Sequence, residues 1–270
     1  MLSRIFSANS EDVTASGLAT LSRIGRLYKR HCAARRWGIS FRRASSFRIP
    51  PSIKVRGNRV PLRLPEDEDE GQRLIFFEVM LDDVYRLRYL AEQQKIQTII
   101  DIGSNTGLFA LAARAAFPTA KIQAYEPNRA LEEYLKWQSR HANFTFFLEA
   151  VGLEDGVFSS HVDGLNLTPR RTNQNKSVPQ IAFRQALERI GGHAGLVKLD
   201  CEGAEWKILQ DCKAWQQVDF VTMEYHLRSA DNHYTIIDAL KEVGFEVLFQ
   251  DKGINLGMIL AKRSNLKTFC

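Results

Sequence analysis

The sequence of 270 residues predicts an α/β fold: a seven-stranded, mostly parallel sheet with helices on both faces and a C-terminal antiparallel hairpin. Three observations carry this. From residue 98 onward, short apolar β-branched runs alternate with helical patterns, the signature of parallel βαβ units. The run Ile99-Ile100-Asp101-Ile102 ends at a loop holding Gly103 and Gly107, and Leu108 to Arg114 then reads as a helix. The last two strands, Phe245 to Phe249 and Met258 to Ala261, have only a turn between them, so they pair antiparallel.

The chain before this body divides in two. Residues 1–48 read as a basic, partly ordered N-terminal arm. Residues 1–60 hold 13 Lys and Arg against two acids, a net of +11, whereas the remaining 210 residues are net −5. Such an arm suits contact with an anionic surface, lipid or nucleic acid, but the plainer reading is a solvated extension, and its removal is expected to leave a folded domain. Residues 49–97 read as a short hairpin turning at Gly57-Asn58, then an amphipathic helix over 71–93, with Leu74, Phe77, Leu81, Val84, Leu87 and Ala91 on one face.

Residues 98–263 form the main domain. Strands are expected at 98–101, 121–125, 144–148, 196–200 and 218–224 before the terminal hairpin. Helices are expected at 108–117, stopped by Pro118, and at 129–141, 180–190, 203–212 and 232–243. A polar stretch over 149–180 breaks the rhythm. The four cysteines show no paired spacing, which points to reduced thiols and a cytoplasmic setting. No apolar run reaches the length of a membrane span.

Ligands of open α/β sheets lie beyond the carboxyl ends of the strands, so the strand exits are the candidate site. The first exit, with Asp101, Gly103, Ser104, Asn105 and Gly107, lacks the G-x-G-x-x-G of a dinucleotide site and the Gly-Lys-Ser/Thr of a P-loop. Its D-x-G-x-N-x-G pattern resembles the first motif of S-adenosylmethionine-dependent methyltransferases. The second exit supplies Glu126, Pro127 and Asn128, where an acid can accept hydrogen bonds from both ribose hydroxyls. Ala150 and Val151 at the third exit are candidate adenine contacts through their backbone.

The fourth and fifth exits bring Asp200, Glu202, Glu224 and His226 toward one cleft. Asp200 and Glu224 end apolar runs, where a buried charge is costly without a purpose or a partner. His226 is the candidate general base, because an unperturbed imidazole titrates near working pH; Asp200 is its alternative or its orienting partner. Asp200, Glu202 and Glu224 offer oxygen ligands to a divalent cation, but no spacing demands one, and no metal site is assigned.

Four segments together resemble the FkbM family of methyltransferases: Asp101 to Phe109, Tyr125 to Asn128, Lys198-Leu199-Asp200-Cys201-Glu202-Gly203-Ala204-Glu205, and Glu224-Tyr225-His226. The Lys-x-Asp-x-Glu-Gly-Ala-Glu block is the most distinctive. The resemblance covers about residues 53–262. It implies a Rossmann-like methyltransferase fold, S-adenosylmethionine as cofactor, and O-methylation of a sugar, glycan or other small-molecule hydroxyl. Two alternatives stand beside this: a non-catalytic cofactor- or partner-binding domain, and a nucleic acid methyltransferase served by the basic arm. The net acidic body argues against the second. Oligomeric state is not legible.

Overall fold

The computed structural model describes residue 25 and residues 27–40, 47–65, 70–158, 177–229 and 231–264. Helix α1 spans residues 27–36. Strands β1 (Ser52–Val55) and β2 (Asn58–Pro61) form an antiparallel hairpin. Next come helix α2 (Glu70–Phe76), a π-helix (Phe77–Asp82) and helix α3 (Leu87–Gln93). The single helix expected over 71–93 is thus interrupted. Asp83 and Arg86 both take left-handed backbone conformations, and the Asp83 carboxylate accepts the amides of Leu87 and Arg88, so the chain stops, turns and restarts.

The main domain follows as β3 (Thr98–Ile102), α4 (Leu108–Ala116), β4 (Lys121–Tyr125), α5 (Glu132–Ala142) and β5 (Thr145–Phe147). Three short strands, β6 (Ala150–Gly152), β7 (Gly156–Phe158) and β8 (Val178–Ala182), form a separate small sheet. These strands occupy both ends of the stretch read as merely polar, and the part between them lies outside the described residues. Then come α6 (Phe183–Ile190), β9 (Ala194–Leu199), α7 (Glu205–Ile208), α8 (Cys212–Trp215), β10 (Val218–His226), α9 (Thr235–Glu242), β11 (Phe245–Lys252) and β12 (Leu256–Arg263). The helix expected over 203–212 is instead α7 and α8, because Asp211 accepts the amide of Ala214 and starts a new turn.

The seven-stranded sheet runs β11-β12-β10-β9-β3-β4-β5, and within it β12 alone runs opposite to the other six. Alternation along each strand divides the core into two layers. Ile99 and Leu196 face a layer with α4 and the π-helix, while Ile100, Ile102, Val197, Leu199, Val221, Met223 and Tyr225 face α6 and α9. The same parity sends Asp101, Lys198, Thr222 and Glu224 to the first face. Asp101 is the register partner of Lys198, and Lys198 of Thr222, so three polar residues form a row across the sheet.

Where it is described, the N-terminal region packs on the body. Ala33, Ala34, Ile39 and Phe47 are buried in the first layer, Arg30 pairs with Asp82, and the Trp37 indole donates to the Met80 carbonyl at 2.6 Å. Cys32 and Cys201 are free, but Cys212 is disulfide-bonded, which corrects the expectation of four reduced thiols. Among the described residues no helix is long and apolar enough to cross a membrane.

Candidate active site

The site is built where β3, β4, β9 and β10 end. The Gly103 and Ser104 amides donate to the Tyr125 carbonyl at 3.0 Å each, which folds the loop after β3 back over β4. Gly103 has a φ of 77°, and a Cβ there would lie 1.8 Å from the Asp200 carbonyl oxygen. Glycine is required here by close approach of the fourth strand exit. Gly107, at a φ of 84°, abuts Phe144 and Leu135 and starts α4, an alanine-rich segment with high helix propensity.

Glu126 closes β4 and is nearly buried. One carboxylate oxygen accepts the Asn105 amide and the other the Asn128 amide, each at 2.8 Å. Burial pushes this carboxyl up, and the two amides with the Lys198 charge oppose that. Asn128 also caps the short turn that follows, and Pro127 is half-buried between them. Asn105 is itself left-handed, and its side chain accepts the Thr106 amide at 2.7 Å. Ala150 and Val151 are buried in β6, with Gln180 and Ile181 of β8 as register partners.

Asp101 is fully buried, 3.1 Å from the Lys198 ammonium. Lys198 also donates to the Gly103 carbonyl at 2.5 Å and lies 3.5 Å from Asp200. Burial pushes the ammonium down, but Asp101 and Asp200 more than offset it, so its pKa is raised and it stays charged. Asp200 accepts the Tyr85 hydroxyl at 2.7 Å, and Tyr85 accepts the Thr222 hydroxyl at its carbonyl, 3.2 Å away. Asp101 Oδ1 pairs with Lys198, whereas Asp101 Oδ2, Ser104 Oγ and Thr106 Oγ1 are buried without a hydrogen-bond partner.

A second cluster lies at the end of β10. His226 Nε2 is 3.5 Å from Glu224 and 3.6 Å from Glu202, and Nδ1 is 3.8 Å from the buried Glu205. At that distance the Glu205 contact is an ion pair, and Glu205 instead accepts the Cys201 amide at 3.0 Å. Glu205 first, against partial burial, and then Glu224 and Glu202 push His226 up to about 9. His226 is therefore imidazolium at neutral pH, not the neutral imidazole expected from its ordinary pKa. Burial and the neighbouring Asp200, opposed by His226, push Glu224 up to about 7. Burial likewise raises Glu202, which His226 opposes.

Tyr85 and Glu78 were missed by sequence reasoning, and Lys198 stood in the distinctive block without a role. Lys198 carried a readable signal, a lysine inside the apolar run Leu196 to Leu199, where burial demands an anionic partner. Tyr85 and Glu78 carried none, because both come from the segment read as a packing helix. Glu78 is itself raised by burial first and then by the nearby Asp200. Among the described residues no group of His, Cys, Asp and Glu is arranged to hold a metal ion.

The sequence profile of the methyltransferase FkbM domain matches residues 63–247. No curated protein matches the chain. Solved structures show a partial likeness to it at low identity. An O-methyltransferase family protein from Burkholderia thailandensis is 12% identical over 74% of this chain and 61% of that one, with a TM-score of 0.42. The precorrin-6y C5,15-methyltransferase from Geobacter metallireducens is 12% identical over 68% of this chain and 89% of that one, with a TM-score of 0.43. The N-terminal domain of EvdMO1 with SAH bound is 14% identical over 68% of this chain and 80% of that one, with a TM-score of 0.42.

Proposed function

The chain belongs to the FkbM methyltransferase domain family, and from that premise we propose that it uses S-adenosylmethionine to methylate a hydroxyl of a sugar, glycan or other small molecule. The observation that carries the cofactor assignment is Glu126. Each of its oxygens takes one loop amide, which leaves each a further lone pair for a ribose hydroxyl. The unpartnered Asp101 Oδ2, Ser104 Oγ and Thr106 Oγ1 beside it fit a polar ligand in the loop, since buried groups of this kind ordinarily find partners. In this reading Gly103, Asn105 and Gly107 shape the cradle, Pro127 and Asn128 hold Glu126, and the edges of Ala150 and Val151 border the adenine.

S-adenosylmethionine supplies, when bound, a methyl group on a positively charged sulfur. The chain's own task is alignment and removal of the acceptor proton. Glu224 is the better base, because its carboxylate titrates near neutrality while His226 already carries its proton. His226 holds the cluster of Glu202, Glu205 and Glu224 together, and Asp200 is steadied by Tyr85 and Lys198 at the side facing the cofactor loop. The net negative body beyond residue 60 supports a small acceptor over a nucleic acid.

Calorimetry with S-adenosylmethionine tests the binding half. Glu126→Ala is expected to abolish measurable affinity, and unchanged affinity overturns the assignment. Transfer of a labelled methyl group to a panel of hydroxyl acceptors tests the other half, with labelled nucleic acid as the contrary outcome.

A further inference from the structure

At the C-terminal half of α4, helix α1, the β1–β2 hairpin and the start of α3 line a half-open pocket of about 200 Å3. None of the candidate active-site residues lines it. Its floor is apolar, from Trp37, Met80 and the alanines of α4, and its rim carries four cations: Arg36, Lys54, Arg56 and Arg88. The one carboxylate present, Asp83, is committed to the start of α3 and to Arg88, 3.0 Å away. Arg36, Lys54 and Arg56 have no carboxylate partner among the described residues.

This arrangement opposes the local physics of the hairpin. Lys54 is the direct cross-strand partner of Arg59, a like-charge pair that destabilises a two-stranded ribbon. Arg56 takes a φ of 52° at the turn, a conformation ordinarily left to glycine or asparagine. Both choices weaken the hairpin while gathering positive charge at the mouth of a half-open pocket.

We propose that this cavity is an anion site that receives the phosphate group of a small phosphorylated molecule or a lipid headgroup. A phosphate carries close to two negative charges at neutral pH and accepts the forked donors of Arg36 and Arg56 together with the Lys54 ammonium. The volume holds roughly half a dozen waters' worth of space, enough for a phosphate with a short carbon attachment over Trp37. A pocket of this volume suits a single phosphate better than the many successive contacts of a polyanionic backbone.

The test uses the full chain and inorganic phosphate, followed by calorimetry and tryptophan fluorescence at fixed ionic strength. Saturable binding is expected, at least tenfold weaker in the Arg36→Ala/Lys54→Ala double variant and retained in Lys54→Arg. Equal responses to phosphate and chloride, or undiminished binding by the double variant, would overturn the site. Sedimentation with phosphatidylcholine vesicles, with and without phosphatidate, separates the sources. Capture that requires phosphatidate and is competed by phosphate identifies the headgroup. Phosphate binding without capture identifies a free phosphorylated molecule, and either result upholds the site. Binding of an RNA oligonucleotide that neither phosphate nor the double variant diminishes would overturn it.

Discussion

Lys198 shows how one side chain ties the fold to the site. It is buried on an apolar strand, pairs with Asp101, and donates to the loop that follows β3. Lys198→Met leaves the Asp101 charge buried and unpaired, so a loss of about 3–5 kcal/mol is expected by denaturant unfolding. Adding Asp101→Asn to the same chain should restore much of it, because the orphaned charge is gone. The proposed base and its neighbour make a separate prediction, read in pH. Glu224 must be ionised and His226 protonated, so kcat/KM should rise through about 7 and fall through about 9, as properties of the pair. His226→Gln removes the cation that holds Glu224 down, and the acid limb should move to higher pH. Stability follows the same sign. The folded His226 pKa lies above its ordinary 6.5, so its contribution is complete below that value and is lost as pH rises through about 9. In His226→Gln the fall in Tm between those pH values should flatten; a wild-type slope there would show that the carboxylates do not hold the proton.

At the scale of elements, the strands of the main parallel sheet were legible because each reads as a short, mostly apolar run that ends near a glycine or an acid. The exits of those strands could therefore be assigned, and parity alone puts Asp101, Lys198, Thr222 and Glu224 on one face. The break between the π-helix and α3 was not legible. Apolar spacing continues straight through it, and the stop depends on the left-handed turn at Asp83 and Arg86, which periodicity does not encode. That break delivers Tyr85 to Asp200. Asp83→Ala removes the cap of α3 and should cost about 1 kcal/mol in urea unfolding. Gly103→Ala is a harsher test of the β3 loop. Its Cβ would overlap the Asp200 carbonyl, and the left-handed φ adds strain, so failure to accumulate as folded protein is expected. A well-folded Gly103→Ala chain would show that the two strand exits are not packed against each other.

Over the whole molecule, the charge division at residue 60 is real, but it does not mark the edge of the folded body. Composition separated the N-terminal region because arginine dominates it, yet burial depends on the few apolar residues between the charges. Ala33, Ala34, Ile39 and Phe47 lie in the same layer as α4 and the π-helix, and Phe47 packs on Phe76 and Phe77 at ring separations of 5.6 and 4.9 Å. We propose that α1 belongs structurally with the layer over 49–97, and that this layer supports Tyr85 and Glu78 at the site. Burying Ile39 and Phe47 alone is worth roughly 3–6 kcal/mol, a large share of the ~5–15 kcal/mol that holds a domain folded. Deleting residues 1–48 should therefore lower Tm by many degrees and weaken cofactor binding together, as the π-helix loosens and Tyr85 leaves Asp200. Thermal unfolding and calorimetry on the truncated chain check both at once. An unchanged Tm would mean that these apolar contacts contribute nothing, and a fall in Tm with full cofactor affinity would mean that Tyr85 is held by the sheet through Thr222 and not by the layer above it.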